Sequence, residues 1–113
     1  MAYIKSVSGS ILLRIEGGYI KEFSGRNLYR LYEDKVTEVT GRIIYTLDYD
    51  KIKTFTGQIL LYVTNDTVKD YTGRIIARYD NQTIRSFTGT IEYRIDGYLT
   101  KRELMAFIAI TYA

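Results

Sequence analysis

A glycine preceded by serine or threonine recurs every sixteen residues along this chain. Each of these glycines belongs to one copy of a common pattern, and the pattern is present six times. The copies span residues 4–19, 20–35, 36–51, 52–67, 68–83 and 84–99, with glycines at Gly9, Gly25, Gly41, Gly57, Gly73 and Gly89. A fixed period of this kind indicates one supersecondary unit that buries its apolar face against its neighbours. At 113 residues the chain has the length of a single domain.

Each copy has the pattern of two short β-strands. We number the positions of a copy from 1 to 16, so that the fourth copy has Ile52 at position 1. Position 1 is always Ile or Val, and positions 8, 10 and 12 are almost all apolar. Apolar residues at every second position, many of them β-branched or aromatic, are typical of strands.

Two turns must join these strands. One is predicted at positions 5 and 6, the Ser/Thr-Gly step, where glycine can adopt a positive φ. The other is predicted at positions 13 and 14, because Asp80-Asn81 and Asp96-Gly97 have the chemistry of two-residue hairpins. These turns place position 4 opposite position 7, and position 10 opposite position 1 of the next copy.

The predicted fold class is therefore mainly β, with six tandem hairpins in an antiparallel meander. The alternative is a parallel β-solenoid with a helical cap, in which equal positions of successive copies stack. That stack would set like charges directly opposite each other at position 2, which is destabilising. These charges favour the meander, and they belong to Lys5, Lys21, Lys53, Lys69 and Arg85.

Alternation assigns the side chains to two faces of the sheet. The first face carries positions 1, 8, 10 and 12 and is apolar. The second face carries positions 2, 4, 7, 9, 11 and 16 and collects nearly all basic residues, whereas the acidic residues of the copies fall at the 13–15 turns or at position 3, with Glu92 as the exception. The modest net charge of +3 therefore hides a strongly divided surface.

The residues after the last copy predict a helix over 101–112. Thr100 and Glu103 have the spacing of a capping box, and Leu99 and Leu104 have the spacing of a hydrophobic staple. Beyond its first turn this helix is apolar on every side, which indicates burial. Either the sheet rolls around the helix, or two chains stack their apolar faces with the helices between them. An uncovered apolar face would favour a homodimer or a larger self-assembly.

The repeat also carries a resemblance. Asp48, Ile52, Phe55 and Gly57, followed at the end of the chain by the Lys101-Arg-Glu-Leu helix, resemble small uncharacterised bacterial proteins built from short tandem Gly/Tyr repeats. The resemblance covers nearly the whole chain and implies no known activity.

Composition excludes most enzyme classes. The chain has no histidine and no cysteine, so it lacks the commonest general base near neutral pH, the commonest metal ligand and any thiolate nucleophile. We therefore expect a structural or interaction protein that is not an enzyme and has no cofactor or metal site. No apolar segment precedes the first copy, and none is long enough to span a membrane, so the expected location is the cytoplasm.

The basic face is the candidate binding surface. Its aromatic and basic residues alternate, with Phe23 predicted to meet Arg26, and this combination is how sheets hold single-stranded nucleic acid. The candidate residues are Arg26, Arg42, Arg74, Phe23, Phe55, Tyr71, Lys21, Lys53, Lys69 and Arg85. The alternatives are a basic face that only keeps the sheet soluble, carbohydrate or cell-surface binding through the twelve tyrosines, and calcium binding at acidic turns.

Overall fold

The chain folds into a closed barrel of twelve antiparallel strands with one C-terminal helix, and the structure, a computed structural model, describes residues 1–113. Each strand pairs with the next, and β1 pairs with β12. The antiparallel meander and its rolled form are thus confirmed, and the solenoid is excluded. The strands are β1 (Ala2–Lys5), β2 (Ile11–Glu16), β3 (Tyr19–Glu22), β4 (Asn27–Tyr32), β5 (Lys35–Glu38), β6 (Ile43–Asp48), β7 (Lys51–Thr54), β8 (Ile59–Val63), β9 (Thr67–Asp70), β10 (Ile75–Tyr79), β11 (Thr83–Ser86) and β12 (Ile91–Gly97), followed by α1 (Lys101–Tyr112).

The Ser/Thr-Gly turn is a three-residue loop rather than the predicted two-residue turn. In the fourth copy, the Gly57 amide donates to the Thr54 carbonyl at 2.9 Å, and the Thr54 amide donates to the Gln58 carbonyl at 2.8 Å. This is a tight turn followed by a glycine at φ +97, the arrangement that closes three-residue hairpins. Position 3 therefore lies opposite position 7, and the predicted pairing of position 4 with position 7 is wrong.

The second turn lies one residue later than predicted, at positions 14 and 15. The Asp80 amide donates to the Thr83 carbonyl at 3.0 Å, which leaves Asn81 and Gln82 as the loop. The Asp80 side chain accepts hydrogen bonds from the backbone amides of Gln82 and Thr83, each at 2.8 Å. Aspartate thus precedes the turn and caps it, as is common for the first residue of a turn.

The later turn changes which residues face each other across strands. Position 12 lies opposite position 1 of the next copy, as in Val63 opposite Val68, whereas Leu61 lies opposite Asp70. The predicted pairing of Leu61 with Val68 is therefore wrong. Positions 1, 10 and 12 still share one face, because the new partner differs by two residues and side chains alternate with a period of two.

A β-bulge in every copy moves position 8 to the outer face. Ile52 pairs with Leu61 but Lys53 pairs with Ile59, so Leu60 at position 9 is left without a partner. Directly opposite residues share a face, so the position 8 residues accompany the basic side chains outside. The prediction that position 8 is buried is wrong, and Leu60 at position 9 packs against the core instead.

The helix fills the barrel interior. Residues 104–109 are all buried and form one cluster with the inward-facing strand residues, and the Phe107 ring meets Tyr93 edge-on at 5.3 Å between ring centroids. The capping box is present, with the Glu103 amide donating to Thr100 Oγ1 at 3.1 Å. The predicted buried helix is confirmed.

At the two ends of the helix, Arg102 pairs with Asp34 and the Tyr112 hydroxyl donates to Glu92 Oε1 at 2.6 Å. The helix does not have the length and apolar content needed to cross a membrane.

Because the barrel closes around this helix, no sheet face remains uncovered to require a second chain. Self-association stays a prediction.

Candidate functional site

The hairpin topology divides the outside of the barrel into three zones. In a closed antiparallel meander, all Ser/Thr-Gly turns lie at one end and all second turns lie at the other. The acidic rim is the end with the second turns, and it carries Glu16, Glu33, Asp34, Asp48, Asp50, Asp66, Asp80 and Asp96. The apolar crown is the opposite end, where position 4 places Val7, Phe23, Val39, Phe55, Tyr71 and Phe87 at the hairpin tips.

Between the two ends runs the basic waist, formed by positions 2 and 11 on the outer face. Cross-strand pairing joins these positions, as in Arg14 opposite Lys21 and Arg78 opposite Arg85. Where a copy has no cation at these positions, it has threonine or tyrosine and never an acid. The waist contains nine cations, which are Lys5, Arg14, Lys21, Arg30, Lys53, Lys69, Arg78, Arg85 and Arg94.

The waist brings like charges together. Three cross-strand pairs consist of two basic residues. They are Arg14 with Lys21, Arg78 with Arg85, and Lys5 with Arg94. Such pairs are destabilising, so the meander also contains like-charge neighbours of the kind that disfavour the solenoid. The acidic rim neutralises three of the nine cations, and the other six have no carboxylate oxygen within 4.0 Å. The three ion pairs of the waist are Lys5 with Asp96 at 3.0 Å, Arg14 with Glu16 at 3.2 Å, and Lys53 with Asp48 at 2.9 Å.

Aromatic side chains lie among these cations. The Arg30 guanidinium stacks on Tyr32, with 4.8 Å from its central carbon to the ring centroid, and it lies 5.9 Å from the Tyr19 ring. The Arg14 guanidinium lies 6.0 Å from the Tyr3 ring, and its buried Nε has no hydrogen-bond partner. A shallow cleft of about 590 Å³ opens beside Arg30 and is lined by Tyr19, Arg26, Asn27, Leu28, Arg30 and Val39.

The residues predicted from the sequence divide between two zones. Lys21, Lys53, Lys69 and Arg85 lie in the waist. Arg26, Arg42 and Arg74 lie beside the crown, and each pairs with the acid at position 3 of its own hairpin. The pairs are Arg26 with Glu22 at 2.6 Å, Arg42 with Glu38 at 3.6 Å, and Arg74 with Asp70 at 3.5 Å.

The predicted crown aromatics Phe23, Phe55 and Tyr71 project from hairpin tips and are exposed. Stacking of guanidinium on aromatic rings occurs at Tyr3, Tyr19 and Tyr32 instead of at these tips. The alternation of the strands predicts the position 11 arginines on the basic face, but they are not among the candidate residues. Their partners, the tyrosines on the same outer face, could have been found from the parity of the strands.

Three aspartates have lowered pKa values, and two of them accept hydrogen bonds within turns. The hydrogen bond from Lys53 lowers the pKa of Asp48, and the Lys53 charge adds to that effect. Hydrogen bonds from Thr72 and from the Gln82 amide lower the pKa values of Asp70 and Asp80, respectively. Asp70 and Asp80 therefore remain ionised and hold their turns, whereas Asp48 neutralises one cation of the waist.

The other candidate surfaces have weaker geometry. Tyr29, Tyr45 and Tyr93 pack against the core, and no group of three or more acidic side chains that could hold a metal ion is present. No protein-family model, curated protein sequence or solved structure matches this chain. The waist is therefore the candidate binding surface of this protein.

Proposed function

We propose that this protein is a non-enzymatic interaction protein that binds single-stranded nucleic acid along the basic waist. The observation that carries the proposal is the set of like-charge neighbours on the outer wall, of which Arg78 and Arg85 have no acidic partner. Placing these cations side by side costs stability in the free protein. A bound polyanion would relieve the repulsion between these cations. Each phosphate that a cation neutralises also releases counterions, which adds to the affinity.

The interleaved aromatics favour a single strand over a duplex. Tyr62 lies directly opposite both Lys51 and Lys69 on the neighbouring strands, and Arg30 lies against Tyr19 and Tyr32. Unpaired bases stack on such side chains with about 1–3 kcal/mol per base, largely regardless of sequence. The convex wall of the barrel has no projecting helix or β-ribbon that could enter a major groove.

A matched pair of triple variants tests the proposal. The waist variant is Lys69→Gln, Arg78→Gln and Arg85→Gln, three residues without ion pairs on adjacent strands. The control is Arg26→Gln, Arg42→Gln and Arg74→Gln, which removes the same amount of charge from ion-paired sites beside the crown. Binding of a fluorescent single-stranded oligonucleotide is measured by anisotropy at several salt concentrations.

We expect the waist variant to lose affinity, and the slope of log K against log salt to flatten by about 0.7 for each lost phosphate contact. The control should retain most of the wild-type affinity. The waist variant should unfold at the same or a higher urea concentration than the wild type, because the Arg78–Arg85 repulsion is removed. Equal loss in both variants would assign binding to net charge alone. An absence of salt-dependent binding by the wild type would leave the basic residues as a solubilising surface.

A further inference from the structure

The apolar crown is an exposed hydrophobic surface that the barrel itself does not use. Its four aromatic side chains are 66–70% exposed, and Val7 and Val39 are 52% and 58% exposed. All six lie at the same end of the barrel, on turns with the same hydrogen-bonding pattern. Monomeric proteins rarely expose contiguous apolar patches larger than a few hundred Å².

The crown tips are held in fixed positions by their turns. The residue at position 3 of each hairpin precedes the exposed side chain, and in several copies its oxygen accepts a hydrogen bond from a backbone amide across the loop. Thr54 Oγ1 accepts from the Gln58 amide at 3.1 Å, and Asp70 Oδ1 accepts from the Arg74 amide at 3.0 Å. Ordered tips lose little conformational freedom when they bind, which lowers the entropic cost of association.

The crown also contains apolar clefts beside its projecting side chains. A cleft of about 500 Å³ separates Phe87 from the preceding hairpin and is lined by Arg74, Ile75, Ile76 and Phe87. A second cleft, of about 320 Å³, is lined by Leu28, Tyr29, Glu38, Val39 and Ile44. Aromatic anchors and apolar clefts on one surface make it self-complementary, since anchors that fill pockets carry most of the energy of an interface.

The charge of the crown favours a second copy over an anionic partner. Arg26, Arg42 and Arg74 beside the crown are each paired with an acid of their own hairpin and contribute no net charge there. Two waist arginines also reach the crown loops, where Arg85 donates to the Gly89 carbonyl and Arg94 donates to the Val7 carbonyl. The crown tips themselves are apolar and uncharged, and three of the five nearby arginines are ion-paired, so the tips lack the dense basic charge that binds nucleic acid or anionic lipid. The tips also do not repel those of a second copy, although the whole chain has a net charge of +3.

The exposed area is close to what a stable dimer needs. Phe and Tyr side chains offer about 150–250 Å² each, so four of them at two-thirds exposure supply roughly 400–650 Å². The two valines and the neighbouring isoleucines bring the crown toward the roughly 800 Å² per partner of a standard interface.

We propose that two copies of this chain associate crown to crown as a symmetric dimer, with aromatic tips of each barrel seated in the clefts of the other. A two-fold interface uses the same patch on both chains, and the crown is such a patch. The proposed contact is made by the crown tips and their clefts, so the dimer does not depend on the proposed nucleic-acid binding.

Sedimentation velocity over about 1–200 µM tests the proposal with matched variants. The crown variant is Phe23→Ser, Phe55→Ser and Phe87→Ser, and the control is Tyr49→Asn with Tyr98→Ser, which removes exposed aromatics near the opposite end. We expect wild type and control to be dimers, and the crown variant to be a monomer with unchanged circular dichroism and melting temperature. Salt should not dissociate the wild-type dimer, because the contact is mainly apolar.

A charge variant that keeps every crown aromatic provides the second measurement. Arg26→Glu, Arg42→Glu and Arg74→Glu would replace three ion pairs by like-charge pairs with Glu22, Glu38 and Asp70. We expect this variant to be monomeric at low salt and to recover the dimer as salt screens the repulsion. A wild-type monomer throughout the concentration range, or a dimer that survives the crown variant, would overturn the proposal. A monomer that binds zwitterionic phosphatidylcholine vesicles through the same phenylalanines would replace the second copy by a lipid surface.

Discussion

Single side chains fix the two kinds of turn on which the barrel depends. Asp80 and Asp70 each precede a turn and accept hydrogen bonds from backbone amides within it. A carboxylate in this role stabilises the turn through its charge as well as its oxygen, which is consistent with the lowered pKa of both residues. Asp80 therefore stabilises the Asn81-Gln82 loop from the position that precedes it.

Replacement of Asp80 separates the hydrogen-bond contribution from the charge contribution. Asp80→Ala should destabilise the protein by about 1 kcal/mol, because it leaves two turn amides without their acceptor. Asp80→Asn keeps an acceptor oxygen and should stay near wild type at pH 7. Since the folded pKa of Asp80 lies below the unfolded value, its charge stabilises above about pH 4 and this stabilisation is lost as pH falls further. Urea unfolding between pH 7 and pH 2.5 should show a smaller loss for Asp80→Asn than for wild type. Identical pH profiles would mean that the Asp80 charge does not contribute.

The elements were predictable from the sequence, but their exact pairing was not. The alternation at positions 8, 10 and 12 predicts a strand, and the capping box of Thr100 and Glu103 predicts the start of the helix. The bulge is hidden because Ile59 and Leu60 are both apolar, so alternation cannot show which of them lacks a partner. Likewise, Asp80 and Asn81 are both good turn residues, and only the hydrogen bonds reveal which one begins the loop.

The helix is the element whose burial matters most to the fold. Phe107 is 2% exposed and packs edge-on against Tyr93, so Phe107→Ala should lower the free energy of unfolding by about 3–5 kcal/mol. Lys101 in the first turn of the same helix is exposed, so Lys101→Ala should change the free energy of unfolding by less than about 0.5 kcal/mol. Urea denaturation followed by circular dichroism measures both. A cost below about 1 kcal/mol for Phe107→Ala would contradict a packed barrel interior.

The pairing of β1 with β12, which closes the barrel, has the same register as the pairing between consecutive copies. Ile4 lies opposite Ile95, and Lys5 opposite Arg94, just as Ile20 lies opposite Ile15 and Lys21 opposite Arg14. The sequence could not predict closure, because six equal hairpins would also form an open sheet and no residue specifies the number that closes the ring. The candidate site was predictable only in part. The sequence showed where the basic residues gather, but the crown ion pairs arise from the three-residue loop, which the predicted turn excluded.

Two glycine variants with nearly the same backbone angle test whether the seam between β1 and β12 is tightly closed. Gly57 has φ +97 with no atom within 4 Å of an added Cβ, so Gly57→Ala reports backbone strain alone, at about 1–2 kcal/mol. Gly97 has φ +104, and an added Cβ would lie 2.6 Å from the Met1 carbonyl oxygen and 3.1 Å from Ala2 Cα. Gly97→Ala should therefore cost more, because the start of β1 must move away from its partner. Urea unfolding gives the difference between the two variants, and hydrogen exchange should show faster exchange of β1 and β12 amides in Gly97→Ala only. Equal costs with unchanged exchange would mean that β1 yields freely at this contact, and that the barrel is held shut by its helix rather than by the seam.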